Sequence, residues 1–318
     1  MHIVQRRINR KQYFFIEKSV RLPDGGVRKL SRFCGVKKPR LDDETLKGAF
    51  LEKEKQLFGA WAVRKLRFAY PLTIQDMHAV EGIRIVYRHL LKEIPKQRMK
   101  DLLDRFTVNF TYESNALEGN SLTLKDVSIV IVENENVPGK TLREIYETRN
   151  HRKVMELLFA RKIKVTHASF IKVHKLLMRD IDEESSYKRL PNFIVGSRLR
   201  TSPPERVFDD MSSLIQWYSQ QSGVMHSLQL ATLFHGKFLQ IHPFADGNGR
   251  IARVFFNAML VNEGYPPVIV RKTQRIAYLN ALRAYDRRAH HKLVRFFLEQ
   301  YKRTFEKFFG VYVQYLGA

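Results

Sequence analysis

Chemistry is concentrated in one short stretch of this chain, His242-Pro243-Phe244-Ala245-Asp246-Gly247-Asn248-Gly249-Arg250-Ile251-Ala252-Arg253. One imidazole, one carboxylate, an amide, two glycines and two guanidinium groups share a single connection. Gly247 and Gly249 let the backbone approach a ligand closely, and the N–H groups opening the next helix point outward with the positive end of its dipole. Such a loop is an anion cradle suited to phosphate. Arg250 and Arg253 stand three apart, hence on one helical face, and offer forked donors to further phosphate oxygens. Asp246 beside a polyphosphate suits an oxygen ligand to Mg²⁺, which keeps several waters and takes one or two carboxylates. His242, just ahead of the cradle and with an ordinary pKa near working pH, is the candidate general base.

Two apolar helices must hold this loop, one through Leu228, Leu230, Leu233, Phe234 and Phe238, the other through Ile251, Val254, Phe255, Met259 and Leu260. Three-to-four spacing of apolar residues predicts helices over 42–68, 74–94, 166–180, 208–221, 226–241, 249–263 and 274–309. Thr141 before Glu144 and Thr123 before Asp126 have the spacing of capping boxes. Earlier in the chain the pattern alternates, with Tyr13 and Phe15 on one side and Phe14 and Ile16 on the other, until Asp24-Gly25-Gly26. That alternation and turn predict an N-terminal β-hairpin over 12–34. Between 190 and 207, Pro191, Gly196, Pro203 and Pro204 exclude a helix, while Phe193-Ile194-Val195 is strand-like, so a short exposed hairpin is expected.

The 318 residues include 56 Lys and Arg against 32 Asp and Glu, a net charge of +24. The surplus lies at the ends: residues 1–100 hold 24 basic and 10 acidic side chains, 101–270 hold 21 and 19, and 271–318 hold 11 and 3. The flanks, not the near-neutral middle, would meet an extended polyanion, which keeps nucleic acid among the expected partners; the plain alternative is a solvated basic surface. Cys34 is the only cysteine, which excludes an intramolecular disulfide and suits a reducing compartment. No apolar run approaches the ~20 residues of a spanning helix, and the basic N-terminus lacks the apolar stretch of a secretory signal. A cytoplasmic protein without a membrane partner is expected.

Residues 242–253 are similar, without a gap, to the HxFx(D/E)GNGRxxR signature of the Fic family, whose members usually transfer AMP from ATP to a protein hydroxyl. Tyr187-Lys188 through Phe193-Ile194-Val195-Gly196-Ser197 and Pro203-Pro204 resembles the family's flap. Gly139-Lys140 with Leu142-Arg143-Glu144 through Asn150-His151-Arg152-Lys153 resembles its regulatory-side helix. The resemblance extends from about Arg98 to about Glu299 and implies an all-α fold, with a short β-hairpin flap as the exception in that core. It also implies roles. His242 would deprotonate the target hydroxyl, Asp246 would hold Mg²⁺ between the α- and β-phosphates, and Phe244, counted among the nucleotide-site residues, would pack the loop against the core. Gly247, Asn248 and Gly249 would line the anion hole, Arg250 would grip the phosphates, and Arg253 would grip the γ-phosphate.

Ser114-Asn115-Ala116-Leu117-Glu118-Gly119-Asn120 reads by itself as a helix ended by Gly119. It also resembles the family's (S/T)xxxE(G/N) inhibitory motif, with Ser114, Glu118 and Gly119 at the matching positions. The implication is a salt bridge from Glu118 to Arg253 that denies this arginine to ATP. Phe193, Ile194, Val195 and Gly196 on the flap are expected to dock an extended segment of the target by strand pairing.

The resulting expectation is an ATP- and Mg²⁺-dependent protein adenylyltransferase restrained by Glu118, acting on a hydroxyl-bearing protein, itself included. Two alternatives stay open: removal of AMP by the same site, and a nucleic-acid-binding regulator with this core as scaffold. The expected divisions are a hairpin with helical extension over 1–97, the catalytic core over 98–300 and a helical tail over 301–318. The extension is equally a homodimer surface, with Phe58, Trp61 and Tyr70 available for a contact.

Overall fold

In the computed structural model, residues 1–41, 43–182, 186–193 and 199–315 are described. Three antiparallel strands open the chain, β1 (His2–Ile8), β2 (Lys11–Arg21) and β3 (Val27–Gly35), with β2 in the centre. The expected hairpin is β2–β3. Its turn is held where Asp24 Oδ1 accepts from the Gly26 N–H at 3.0 Å. β1 is additional: its run of Gln5-Arg6-Arg7 hides the alternation, and pairing with β2 makes it a strand. Ile16 of β2 buries against Leu46 and Phe50 of the first helix.

The remainder is helical: α1 (Glu44–Lys65), α2 (Ile74–Glu93), α3 (Lys96–Leu117), α4 (Leu124–Ser128), α5 (Leu142–Phe159), α6 (His167–Leu177), α7 (Val207–Gln221), α8 (Ser227–Ile241), α9 (Asn248–Asn262), α10 (Arg275–Asp286), α11 (His290–Thr304) and α12 (Gly310–Tyr315). Thr123 and Thr141 close the expected capping boxes with Asp126 and Glu144, and Thr73 closes another with Asp76. One apolar cluster runs from Val20 to Phe309. At its centre lies α9, buried at every position from Arg250 to Val261. A helix buried all round is normally apolar all round. Arg250 and Arg253 inside it therefore need specific partners, because an unpaired buried charge is expensive.

Two expectations are corrected, and a third falls in part outside the described residues. The helix expected over 274–309 is two helices, broken where Arg288 takes φ +66°; both halves pack on α8, which a continuous helix could not do. Phe58 and Trp61 are not available for a partner: they are 1% and 6% exposed, packed in the core, and only Tyr70, 77% exposed, faces outward. Within the expected flap hairpin, Ile194, Val195 and Gly196 lie outside the described residues, and 190–193 and 199–203 form no strand. Among the described residues no helix is long and apolar enough to cross a membrane.

The core also predicts a pH effect. His151, His174 and His235 are at most 1% exposed. Burial lowers their pKa values from 6.5 to about 3, about 4 and about 3. Folded, they stay neutral; unfolded, they take up protons below pH 6.5. Their contribution is therefore intact above pH 6.5 and declines as pH falls toward 4, by about 1.4 kcal/mol per pH unit for each histidine. Urea unfolding at pH 7.5, 6 and 5 should give progressively smaller stabilities; identical values would contradict the burial.

Candidate active site

The loop between α8 and α9 is held from below. Phe244 is fully buried, and its ring stacks on His174 of α6 with centroids 4.0 Å apart. Asn248 clamps the same residue twice: its Oδ1 accepts from the Phe244 N–H at 3.0 Å and its Nδ2 donates to the Phe244 carbonyl at 2.7 Å. Phe244 is thus placed beneath the loop, where it can shape a nucleotide site without lining it. Gly247 ends the loop at φ +80°, a left-handed conformation open to glycine, and caps α9.

His242 caps the end of α8, also left-handed at φ +53°. For a non-glycine residue this conformation costs about 1–2 kcal/mol. The neighbouring backbone is pinned on both sides, by the Ser202 N–H on the Ile241 carbonyl (3.2 Å) and the Lys188 N–H on the Pro243 carbonyl (2.8 Å). His242 Nδ1 lies 3.3 Å from the Leu239 carbonyl. Since a carbonyl only accepts, Nδ1 carries the proton and Nε2 keeps its lone pair. Burial lowers the His242 pKa from 6.5 to about 4, so the ring is neutral at physiological pH.

Arg253 is 3% exposed and its guanidinium reaches back to the end of α3. Ser114 Oγ accepts from Nε and the Ser114 carbonyl accepts from Nη2, both at 2.9 Å. Glu118 Oε1 accepts from Nη2 at 2.7 Å. Burial disfavours the Arg253 charge, but the Glu118 carboxylate beside it leaves the pKa above its ordinary value. The position of Glu118 follows from helix termination. Asn120 N–H bonds to the Asn115 carbonyl (3.1 Å) and Gly119 N–H to the Ala116 carbonyl (3.2 Å), a Schellman closure with Gly119 at φ +100°. Glu118 is the capping residue of that closure, so the helix-end reading of this segment and the salt bridge to Arg253 describe one geometry. A Cβ on Gly249 would lie 2.2 Å from Glu118 Oε1. The carboxylate therefore sits over the first turn of α9, where an anion is favoured by the free N–H groups.

Arg250, 2% exposed, has a different environment. Nη2 lies 3.4 Å from Asp246 Oδ2, and Glu147 Oε1 lies 3.4 Å from Nη1. Neither Nε nor Nη1 has a hydrogen-bond acceptor among the described residues. A buried guanidinium whose Nε has no acceptor and whose Nη1 meets only the Glu147 carboxylate at 3.4 Å, without a hydrogen bond, fits a polyphosphate beside a helix N-terminus. Asp246 is half-exposed, with Oδ1 accepting from the Gly247 N–H at 2.6 Å and Oδ2 held by Arg143 of α5 at 2.5 Å. Among the described residues no three His, Cys, Asp or Glu gather as a metal cage. One carboxylate at the cradle fits a Mg²⁺ carried largely by phosphates and water.

The loop spacing gave no sign of several supporting side chains. Arg143, on the helix that resembles the regulatory side, reaches Asp246. Glu147 bonds Asn120 Nδ2 at 2.9 Å and pairs with Arg143, which ties the segment after α3 to α5. Lys188, 3% exposed, donates to Asn192 Oδ1 at 2.6 Å and Thr201 Oγ1 at 3.1 Å; Asn192 Nδ2 in turn donates to the Phe244 carbonyl at 2.7 Å. Desolvation lowers the Lys188 pKa from 10.5 to about 8. The i, i+4 spacing of Arg143 and Glu147 was a weak available signal. Phe193 is 85% exposed at the start of the flap.

Residues 164–260 match the Fic/DOC family. A protein adenylyltransferase Fic of Nematostella vectensis is 29% identical over 288 residues, covering 84% of this chain and 66% of that protein. One of Drosophila grimshawi is 30% identical over 204 residues, 61% of this chain and 41% of its own length, so this chain spans about two-fifths of that relative. A Fic family protein from Desulfovibrio desulfuricans superposes with a TM-score of 0.62 at 26% identity, over 76% of this chain and 75% of the other. A Fic domain-containing protein from Bacteroides thetaiotaomicron superposes with a TM-score of 0.67 at 24% identity, over 75% and 97%, and shares the fold. In its helical core, its loop sequence and these relatives, the chain is similar to the Fic/DOC family, with residues 164–260 as the matching part.

Proposed function

We propose that this chain is a protein adenylyltransferase, moving AMP from ATP to a side-chain hydroxyl of a target protein, and that Glu118 holds it in check. The observation that carries the reading is the Glu118–Arg253 contact of 2.7 Å above the first turn of α9. There a carboxylate takes the place and the guanidinium that a terminal phosphate would use.

The N–H groups of Gly247, Asn248 and Gly249 and the Arg250 guanidinium receive the nucleotide phosphates. Mg²⁺ held at Asp246 would supply charge neutralisation on them. His242 Nε2 takes the proton of the target hydroxyl. The hydroxyl oxygen forms its bond to the α-phosphorus as the bond to the bridging oxygen breaks, and pyrophosphate leaves. Positioning and fixed dipoles do most of this work. An extended target segment along the flap places its hydroxyl by main-chain pairing, since both flap stems are tied to residues 241 and 243 flanking His242.

α-Labelled ATP incubated with the parent and Glu118→Gly chains, alone and with candidate proteins, should put label on protein. Label that is absent from both, or unchanged in His242→Ala, overturns the reading; AMP released from a premodified target without any transfer assigns the site to removal instead. A smaller effect arises at Arg143. Its pair with Asp246 is exposed and worth about 0.5–1 kcal/mol. Arg143→Ala should lower the Mg²⁺ concentration that half-saturates nucleotide binding about two- to fivefold, measured by calorimetry, and an unchanged midpoint would show that Arg143 does not compete for the carboxylate.

A further inference from the structure

We infer that the outer face of the N-terminal sheet binds a single strand of nucleic acid. The inner face is used up: Ile16 packs on Leu46 and Phe50. On the outer face β2 presents Tyr13 and Phe15, and β3 presents Phe33 directly opposite Phe15. Phe33 meets Tyr13 and Phe15 with ring centroids 5.5 and 5.3 Å apart and is still 57% exposed. The Arg6 guanidinium lies over Phe15 at 4.8 Å. These rings form a platform that the protein's own core does not need.

Charge points to the occupant. Residues 1–40 contain twelve Lys and Arg and only two acidic residues. Both carboxylates are engaged: Glu17 is buried under Arg6 and Lys29, and Asp24 has Lys65 at 4.0 Å. Lys11 and Arg21, at the two ends of β2 on the ring-bearing face, are exposed. The rings sit on two neighbouring strands about 4.8 Å apart, with Tyr13 and Phe15 about 7 Å apart along β2, a surface for about two stacked bases. Bases of a single strand expose their π-faces to such rings while basic side chains at the margins take the phosphates. A duplex hides those faces, so rings of this kind would meet little of it. This surface is independent of the transfer reaction.

Fluorescence anisotropy on the full chain tests the inference, using a labelled oligothymidylate and oligouridylate of about 15 nucleotides, the matching duplex, and phosphatidylserine-containing vesicles as competitor. Either single strand should bind more tightly than duplex. Phe33→Ala and Phe33→Leu, the second keeping apolar cover without a π-face, should each weaken binding about tenfold. The double variant Lys11→Gln, Arg21→Gln should reduce the slope of log affinity against log salt by about 1.4, two phosphates' worth. Thermal midpoints and AMP transfer by these variants should match the parent. Equal or tighter duplex binding, competition by vesicles at equal lipid charge, or affinity unaltered in Phe33→Leu each overturns the assignment.

Discussion

Glu118→Gly is expected to raise AMP transfer about 100-fold at saturating ATP and Mg²⁺, with self-modification rising in parallel. The magnitude follows from what Arg253 loses and regains. A charge-assisted hydrogen bond is worth about 1.5–3 kcal/mol, and removing one donor that serves only the transition state costs about 10²–10³ in rate. With Glu118 gone, the Arg253 Nη2 turns from carboxylate to phosphate, while Nε stays oriented by Ser114 Oγ at 2.9 Å. Stability should move the other way. The substitution strips the buried Arg253 guanidinium of its carboxylate partner, and leaving a buried charge unpaired lowers stability. Glu118→Gln, which keeps the shape and a neutral acceptor, should fall between parent and glycine variant. Initial rates of label incorporation together with thermal melts check this, and a parent as active as Glu118→Gly would remove the brake.

His242→Ala, introduced into the Glu118→Gly background so that the parent rate is measurable, should lower transfer about 10²–10⁴-fold while leaving nucleotide affinity nearly unchanged. The proton-accepting Nε2 is lost, but the phosphate-binding residues stay. The loop should survive, because Phe244, Asn248 and the flap stems hold it and alanine relieves no contact they depend on. The pH profile makes a separate statement about the same ring. Its pKa is lowered to about 4 by burial, so the base form is populated above that value and lost as pH falls through it. Bound phosphates nearby raise it again, which places the acid limb of transfer between 4 and the ordinary 6.5. A limb centred above pH 6.5 would show that His242 is not held neutral by its surroundings.

Much of this was legible where the signal is local. The loop places an imidazole, a carboxylate, glycines and arginines within contiguous positions, the short spacing that a phosphate site would need. Capping boxes at Thr123 and Thr141 and the turn at Asp24-Gly25-Gly26 were equally readable, because each closes hydrogen bonds within a few residues. Misreadings share a cause. Phe58 and Trp61 looked free because a sequence does not tell an aromatic on a core-facing stripe from one on an open stripe; α2 and the sheet decide it. The break between α10 and α11 carries no proline or glycine, and packing on α8 imposes it.

By itself, then, the amino-acid order determined which chemical groups are present and which neighbours along the chain they act with. Tertiary structure alone decided how remote groups meet: Glu118 with Arg253 across 135 positions, and Arg143 with Asp246 across 103. Local hydrogen bonds and side-chain periodicity are set by a few adjacent dihedral angles, whereas a contact over a hundred residues long depends on every helix packed between its ends. The family motif could imply the first of these pairs by analogy; only the buried setting of Arg253 explains why a single carboxylate can hold it.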